Sequence, residues 1–305
     1  MTSLLVFIVS ACTPDWNHKD AKPIGAIRVV DGEGKRIILN APAKRVIALS
    51  PHAVELIFAI GAGDQVIATA SYTDYPPAAT KLPTVGDTYQ LDIEKIISLK
   101  PDLIVLWPNG SALRQIELLE RTGIPIYRSN PRKLVDIPID MVNLARLTGH
   151  QAEGEQLASD WRDHIAMFRG QYTSQQKIQV FYQIYDQPLY TIGKKQIIND
   201  AISLCGGKNV LDDVNVSALA VDDEVVLGRD PDAIISTVDA NDHHGLRHWH
   251  HFPMLKAVRT QSLYFLNPDL ISRPGPRMLK GIQLLCEQID DARKRQITMK
   301  DQKGI

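Results

Sequence analysis

The sequence has little excess charge of either sign. Its 34 Lys and Arg stand against 35 Asp and Glu, for a net charge of −1 over 305 residues. That removes the electrostatic basis for binding nucleic acid or an anionic membrane surface. No stretch approaches the roughly 18 consecutive apolar residues that a membrane-spanning helix needs. Catalytic signatures are also missing. There is no P-loop, and GAGDQV at 61–66 lacks the third glycine of the dinucleotide fingerprint. Neither a G-x-S-x-G elbow nor an H-E-x-x-H helix occurs. These absences argue against an enzyme and against a resident cofactor. Cysteine is scarce, at three, and aromatics make up 6% of the chain. The places where these rare residues fall are therefore informative.

One cysteine follows an apolar N-terminal run. In MTSLLVFIVSAC, residues 4–9 are apolar and Ser10-Ala11 precede Cys12. This pattern matches a bacterial lipoprotein signal with Cys12 as the lipidated residue, in a protein exported to the periplasm. An export signal cleaved elsewhere, or a cysteine there by chance, is the alternative. No Lys or Arg precedes the run, and the run is short, so the true start is expected upstream of Met1. Residues 13–22 read as a tether. Cys205 and Cys286 remain, 81 positions apart. An oxidising compartment would join them, restricting the unfolded chain by about 4 kcal/mol; otherwise they are buried thiols.

From residue 26 onward the patterning is that of an α/β protein. Residues 26–30 and 36–39 flank DGEG, a hairpin signal. Strand signals at 45–49, 65–69, 103–107 and 125–128 then alternate with helix signals at 51–60, 92–99 and 110–122. Such alternation predicts a mostly parallel sheet covered on both faces. Between 137 and 172 strand signals vanish. Leu157, Trp161, Ile165, Phe168 and Tyr172 recur at helical spacing along one long helix. Strand signals return at 179–184, 233–237 and 262–266. The expected organisation is a leader and tether at 1–22, an N-terminal lobe at 23–135, a helical connector at 136–174, a C-terminal lobe at 175–295 and a tail at 296–305. The fold class is two Rossmann-like α/β lobes joined by a single long helix, with a ligand cleft between them.

An internal echo supports two lobes on one plan. Asp92, Glu94, Pro101 and Asp102 recur in the same spacing as Asp222, Glu224, Pro231 and Asp232, each set followed by a strand. ELIFAIGAGDQVI at 55–67 also parallels NDAISLCGGKNVL at 199–211. Chance is the alternative, since capped helices ending at proline are common.

The aromatic residues cluster where such a fold binds ligands. SYTDYPP at 71–77 sets Tyr72, Asp74 and Tyr75 on a loop stiffened by two prolines. Trp107 ends a parallel strand, the edge at which α/β sheets take ligands. Tyr89 lies on a loop of the same lobe, and Tyr185 and Tyr190 follow the first strand of the second. Asp269, Arg273 and Arg277 lie in NPDLISRPGPR. Together they describe a cleft for a large, flat ligand bearing amides or carboxylates. HHGLRHWHH at 243–251 brings five histidines together, a pattern that suits zinc, copper or nickel. No acid or cysteine interrupts it, and no metal site is expected there.

On these residues the sequence resembles the cobalamin-binding proteins of ABC importers, in the helical-backbone class of periplasmic binding proteins. The resemblance runs from about 43 to 292. It rests on RVIALSPHAVELIFAIGAG, SYTDYPP, LDIEKIISLKPDLIVLW, the Cys205-Gly-Gly segment and NPDLISRPGPR. It implies capture of cobalamin or a related corrinoid, without catalysis, by a monomer that hands it to the transmembrane subunits of an importer. Tyr72, Trp107, Asp269 and Arg273 fall on ligand-contacting positions, and Tyr190 on an aromatic position of the second lobe. Glu94 and Glu224 match glutamates that dock onto the importer, and Cys205 and Cys286 match a disulfide pair. Two positions depart from the pattern. A cleft tryptophan is replaced by Thr88, beside Tyr89, and another falls near Ala218. Haem or a ferric siderophore is the alternative cargo, with Tyr72, Tyr89 or His52 as candidate iron ligands. A metal-dependent enzyme built on 243–251 is the alternative of another kind.

Overall fold

The computed structural model describes residues 25–87, 90–108, 113–238 and 245–303. Strands β1 (Ile27–Val30) and β2 (Arg36–Leu39) form the hairpin that DGEG predicts. The Asp31 carboxylate accepts from the Glu33 and Lys35 backbone N–H groups at 3.0 and 2.8 Å, closing the turn. The alternation follows: β3 (Val46–Ala48), α1 (Pro51–Ala59), β4 (Val66–Thr69), α2 (Ile93–Ser98), β5 (Leu103–Leu106), α3 (Leu113–Glu120) and β6 (Ile126–Arg128). The strands lie in the order β4-β3-β5-β6, all parallel. Every residue of β3 and β5 is buried, as unbroken apolar strands covered on both faces must be. Pro51 opens α1, and Gly61, at φ 83°, turns the chain out of it. Ser50 stands at the N-cap of α1, but its hydroxyl makes no capping bond and is buried without a partner.

The stretch without strand signals holds α4 (Ile137–Thr148) and α5 (Gln151–Tyr172), separated by Gly149 in the left-handed region. Helix α4 packs on α1 and β1. The long α5 buries Trp161, Ile165, Phe168 and Tyr172, the face that the spacing predicts. Its Trp161 indole N–H donates to the Leu134 carbonyl at 3.1 Å.

The second sheet begins with β7 (Ile178–Asp186) and continues through β8 (Leu189–Ile192), α6 (Ile197–Leu204), β9 (Gly207–Asn209), β10 (Ala218–Ala220), α7 (Asp223–Arg229), β11 (Ala233–Ser236), α8 (Lys256–Arg259), β12 (Leu263–Phe265), α9 (Pro268–Ile271) and α10 (Met278–Lys303). Strand β7 serves two neighbours along one edge. Parallel β9 lies beside its first residues, and antiparallel β8 beside its last. With the β8–β10 ribbon set aside, the order β9-β7-β11-β12 repeats β4-β3-β5-β6 in the same parallel sense. Tyr190 follows the first strand of this lobe, as expected, and lies on β8, whereas Tyr185 lies inside β7, which runs on to Asp186.

The sequence echo extends to backbone conformation. Lys100 and Asp230, each before its proline, both take left-handed φ, 47° and 43°. The Asp102 N–H donates to Arg45 O and the Asp232 N–H to Gln179 O, each at 2.8 Å. Both aspartates also accept, through Oδ2, from the backbone where the central strand of their own sheet begins. These shared details make coincidence untenable.

One apolar core runs through both sheets and includes α1, α4, α5, α6 and α10. Two further cores fill the opposite faces, under α2 and α3 in one lobe and around Phe181 and Trp249 in the other. Cys205 and Cys286 are joined, with Cα atoms 4.6 Å apart, tying the end of α6 to α10. Helix α10 continues to Lys303, past residue 295, where a tail is expected. Among the described residues no helix is long and apolar enough to cross a membrane.

Candidate functional site

Because β3 to β6 are parallel, their carboxyl ends gather on one rim of the first lobe. Trp107 follows β5 there and is 42% exposed. Its indole N–H donates to Asn130 Oδ1 at 3.3 Å. The His52 ring meets it edge-on, with centroids 6.5 Å apart. His52 is itself held from below. Its Nε2 lies 3.0 Å from Ser129 Oγ, which donates to Asp140 Oδ2. Tyr127 donates to the other oxygen of the same carboxylate. Burial lowers the His52 pKa to about 4 and raises that of Asp140 to about 6. The indole is thus fixed at its edge while a large part of it meets solvent.

Tyr72 is 75% exposed and has φ 67°, a left-handed conformation that a bulky side chain rarely adopts. The next residues explain the loop. Asp74 pairs with Arg273 through two bonds, one to each amino group. Tyr75 lies under the Arg277 guanidinium, 4.0 Å from ring centroid to Cζ. Glu55, on α1 and fully shielded, accepts from Arg277 Nε and Nη2 at 2.9 and 2.6 Å, and from Arg273 at 3.4 Å. Arg273 also pairs with Asp269 at 2.9 Å. SYTDYPP is therefore joined to SRPGPR of the other lobe, and Tyr72 stays exposed between the anchored Ser71 and Thr73.

On the second lobe Tyr185 and Tyr190 are register partners across β7 and β8, 55% and 37% exposed. Beyond the β7–β8 turn lies a pocket of about 300 Å³ lined by Gln183, Asp186, Gln187, Asp223, Arg247, His248 and His251. His248 Nε2 sits 2.8 Å from Asp223. Trp249, inside the histidine run, is buried and donates to Gln183 Oε1. Among the described residues no three His, Cys, Asp or Glu stand together as metal ligands. His243 and His244, like Cys12, Thr88 and Tyr89, lie outside the described residues.

Glu94 and Glu224 each stand in the first turn of their helix, α2 and α7, and both are exposed. Asp92 caps α2, its carboxylate accepting from the Lys95 N–H at 2.9 Å, whereas the Asp222 side chain makes no capping bond to α7.

Residues 46–270 match the sequence pattern of a periplasmic binding protein. The chain belongs to the periplasmic binding protein family. It is 36% identical over 254 residues to the vitamin B12-binding protein of Vibrio cholerae, covering 83% of this chain and 91% of that one. The crystal structure of the periplasmic vitamin B12 binding protein BtuF of Vibrio cholerae superposes with a TM-score of 0.77 at 36% identity, over 83% of this chain and 99% of that one. The periplasmic heme-binding protein RhuT of Roseiflexus sp. RS-1 shares the fold, with a TM-score of 0.71 at 23% identity over 82% and 99% of the two chains.

In this periplasmic binding protein, the expected residues Tyr72 and Trp107 follow strands β4 and β5, Asp269 lies on the short helix α9, and Arg273, just after that helix, links the two lobes. Sequence reasoning missed Glu55 and the Asp140 network as parts of the site, and placed Asp74 on the stiffened loop without assigning it a partner. The available signal was weak: a glutamate on an otherwise apolar helix, and an aspartate between two tyrosines.

Proposed function

We propose that this protein captures cobalamin or a related corrinoid between its lobes and delivers it to the transmembrane subunits of an ABC importer. It does so as a monomer in the periplasm, without catalysis or nucleic acid, and Cys12 anchors it to the membrane. The ligand contacts are Tyr72, Tyr89 and Trp107 on one side and Tyr185, Tyr190, Asp269 and Arg273 on the other. Glu94 and Glu224 are the docking residues. The observation that carries this reading is Trp107: a half-exposed indole, pinned by Asn130 and His52 at a strand end, in a chain that resembles vitamin B12-binding proteins over four-fifths of its length. Haem fits less well. His52, a candidate iron ligand, is buried with its Nε2 engaged by Ser129.

Calorimetry on the Trp107→Ala variant tests the assignment. Loss of an aromatic anchor should weaken cyanocobalamin by about 1–3 kcal/mol with little change in thermal stability, since the ring is largely outside the core. Unchanged affinity would remove Trp107 from the site.

A further inference from the structure

The charge cluster between the lobes bears on the chemistry of the ligand's edge. Two guanidinium groups, Arg273 and Arg277, stand among three carboxylates, Glu55, Asp74 and Asp269. The cluster as a whole carries one net negative charge. Its cations are occupied. Each amino group of Arg273 is shared between two carboxylates: Nη1 with Glu55 and Asp74, and Nη2 with Asp74 and Asp269. Arg277 grips Glu55 with Nε and Nη2 and stacks on Tyr75. Glu55 is shielded from solvent, with 1% of its side chain exposed. Asp74 and Asp269 are open, at 56% and 45%. The side chains that this cluster exposes most are thus its two aspartates, while Arg273 and Arg277 are only 17% and 23% exposed.

An ionised carboxylate only accepts hydrogen bonds. A primary amide brings two N–H donors to it, while a ligand carboxylate brings none and adds like-charge repulsion. Resting on the corrinoid reading above, we propose that Asp74 and Asp269, held by Arg273, Arg277 and Glu55, select a ligand whose rim carries neutral primary amides and reject one whose rim carries carboxylates. Arg273 then acts as a positioning residue for two acceptors rather than as an anion anchor. Asp74 becomes a specificity determinant by facing the ligand's rim, and Glu55 and Arg277 become positioning residues behind it.

The test uses cyanocobalamin and its b-, d- and e-monocarboxylic acids, each differing from the parent by one amide turned into a carboxylate. Affinities are measured by calorimetry at pH 7 on the full chain and on Asp74→Asn. The parent should bind, and at least one acid should bind about tenfold or more weakly, as expected for a carboxylate facing a carboxylate. Asp74→Asn removes one acceptor charge and releases donors of Arg273, so the gap for that acid should shrink to about threefold or less. Binding of all three acids on a par with the parent would overturn the selection while leaving the corrinoid reading intact. A gap that Asp74→Asn leaves unchanged would overturn it too, placing discrimination elsewhere. Failure of the parent itself to bind would overturn the reading on which the selection rests.

Discussion

His52 and Asp140 both engage the Ser129 hydroxyl, and their proton affinities are displaced in opposite directions. Burial holds His52 down at about 4 and pushes Asp140 up to about 6. In the unfolded chain they return to roughly 6.5 and 3.9. From pH 4 to 6 the folded protein keeps a proton on Asp140, while the unfolded chain keeps one on His52. His52 alone makes stability rise with pH in that window, because the unfolded state binds its proton. Asp140 alone makes stability fall, because the folded state binds its proton. Each effect amounts to about 3 kcal/mol, so they nearly cancel. His52→Gln should therefore steepen the loss of stability as pH rises from 4 to 6, relative to the parent, and Asp140→Asn should shift the slope the other way. Denaturant titrations at three pH values read this directly; slopes that move in the same direction in both variants would contradict the assignment. This pairing was illegible in the sequence. His52 and Asp140 are 88 positions apart in the chain, and nothing local says that Ser129 joins them.

Among the elements, the short helices α2 and α7 were the most legible. The spacing around Asp92 and Asp222 predicted both, because an aspartate, an apolar turn and a stopping proline are local signals, although only Asp92 makes the capping bond. Strands β9 and β10 were not legible. Gly207–Asn209 and Ala218–Ala220 carry little strand propensity, and what makes them strands is the partner edge they meet. Helix α10 outran its apolar periodicity for a different reason. Lys294 pairs with Asp290 at 2.8 Å and Arg295 with Asp291 at 2.7 Å, one turn apart, so charge pairs support the helix up to the point where the tail is expected to begin. The equivalence of α2 and α7 carries its own prediction. Glu94 and Glu224 occupy matching first turns, where the helix dipole favours a carboxylate. If their role is docking on a twofold importer, Glu94→Ala/Glu224→Ala should fold and bind corrinoid like the parent yet transport almost none. Vesicle uptake beside calorimetry checks both halves, and normal uptake by the double variant would leave helix stabilisation as their role.

For the molecule as a whole, the two-lobed plan was readable because it is written twice, in β4-β3-β5-β6 and again in β9-β7-β11-β12. What the sequence left open was how the two copies are tied together. Three connections do so: the α5 helix, a core continuous through both sheets, and the Arg273–Arg277 cluster that joins SRPGPR to Glu55 and SYTDYPP. The Cys205–Cys286 bridge adds a covalent link from α6 to α10 within the second lobe. Of the exposed aromatic residues proposed as ligand contacts, Trp107 is fixed through its ring, by Asn130 and His52. The measurement that bears most directly on this account is calorimetric titration of the purified protein with cyanocobalamin and, separately, with haem. One-to-one binding of cyanocobalamin at micromolar Kd or tighter, about −8 kcal/mol or better, with no saturable haem binding, is the predicted result; tight binding of haem with no heat from any corrinoid would contradict it.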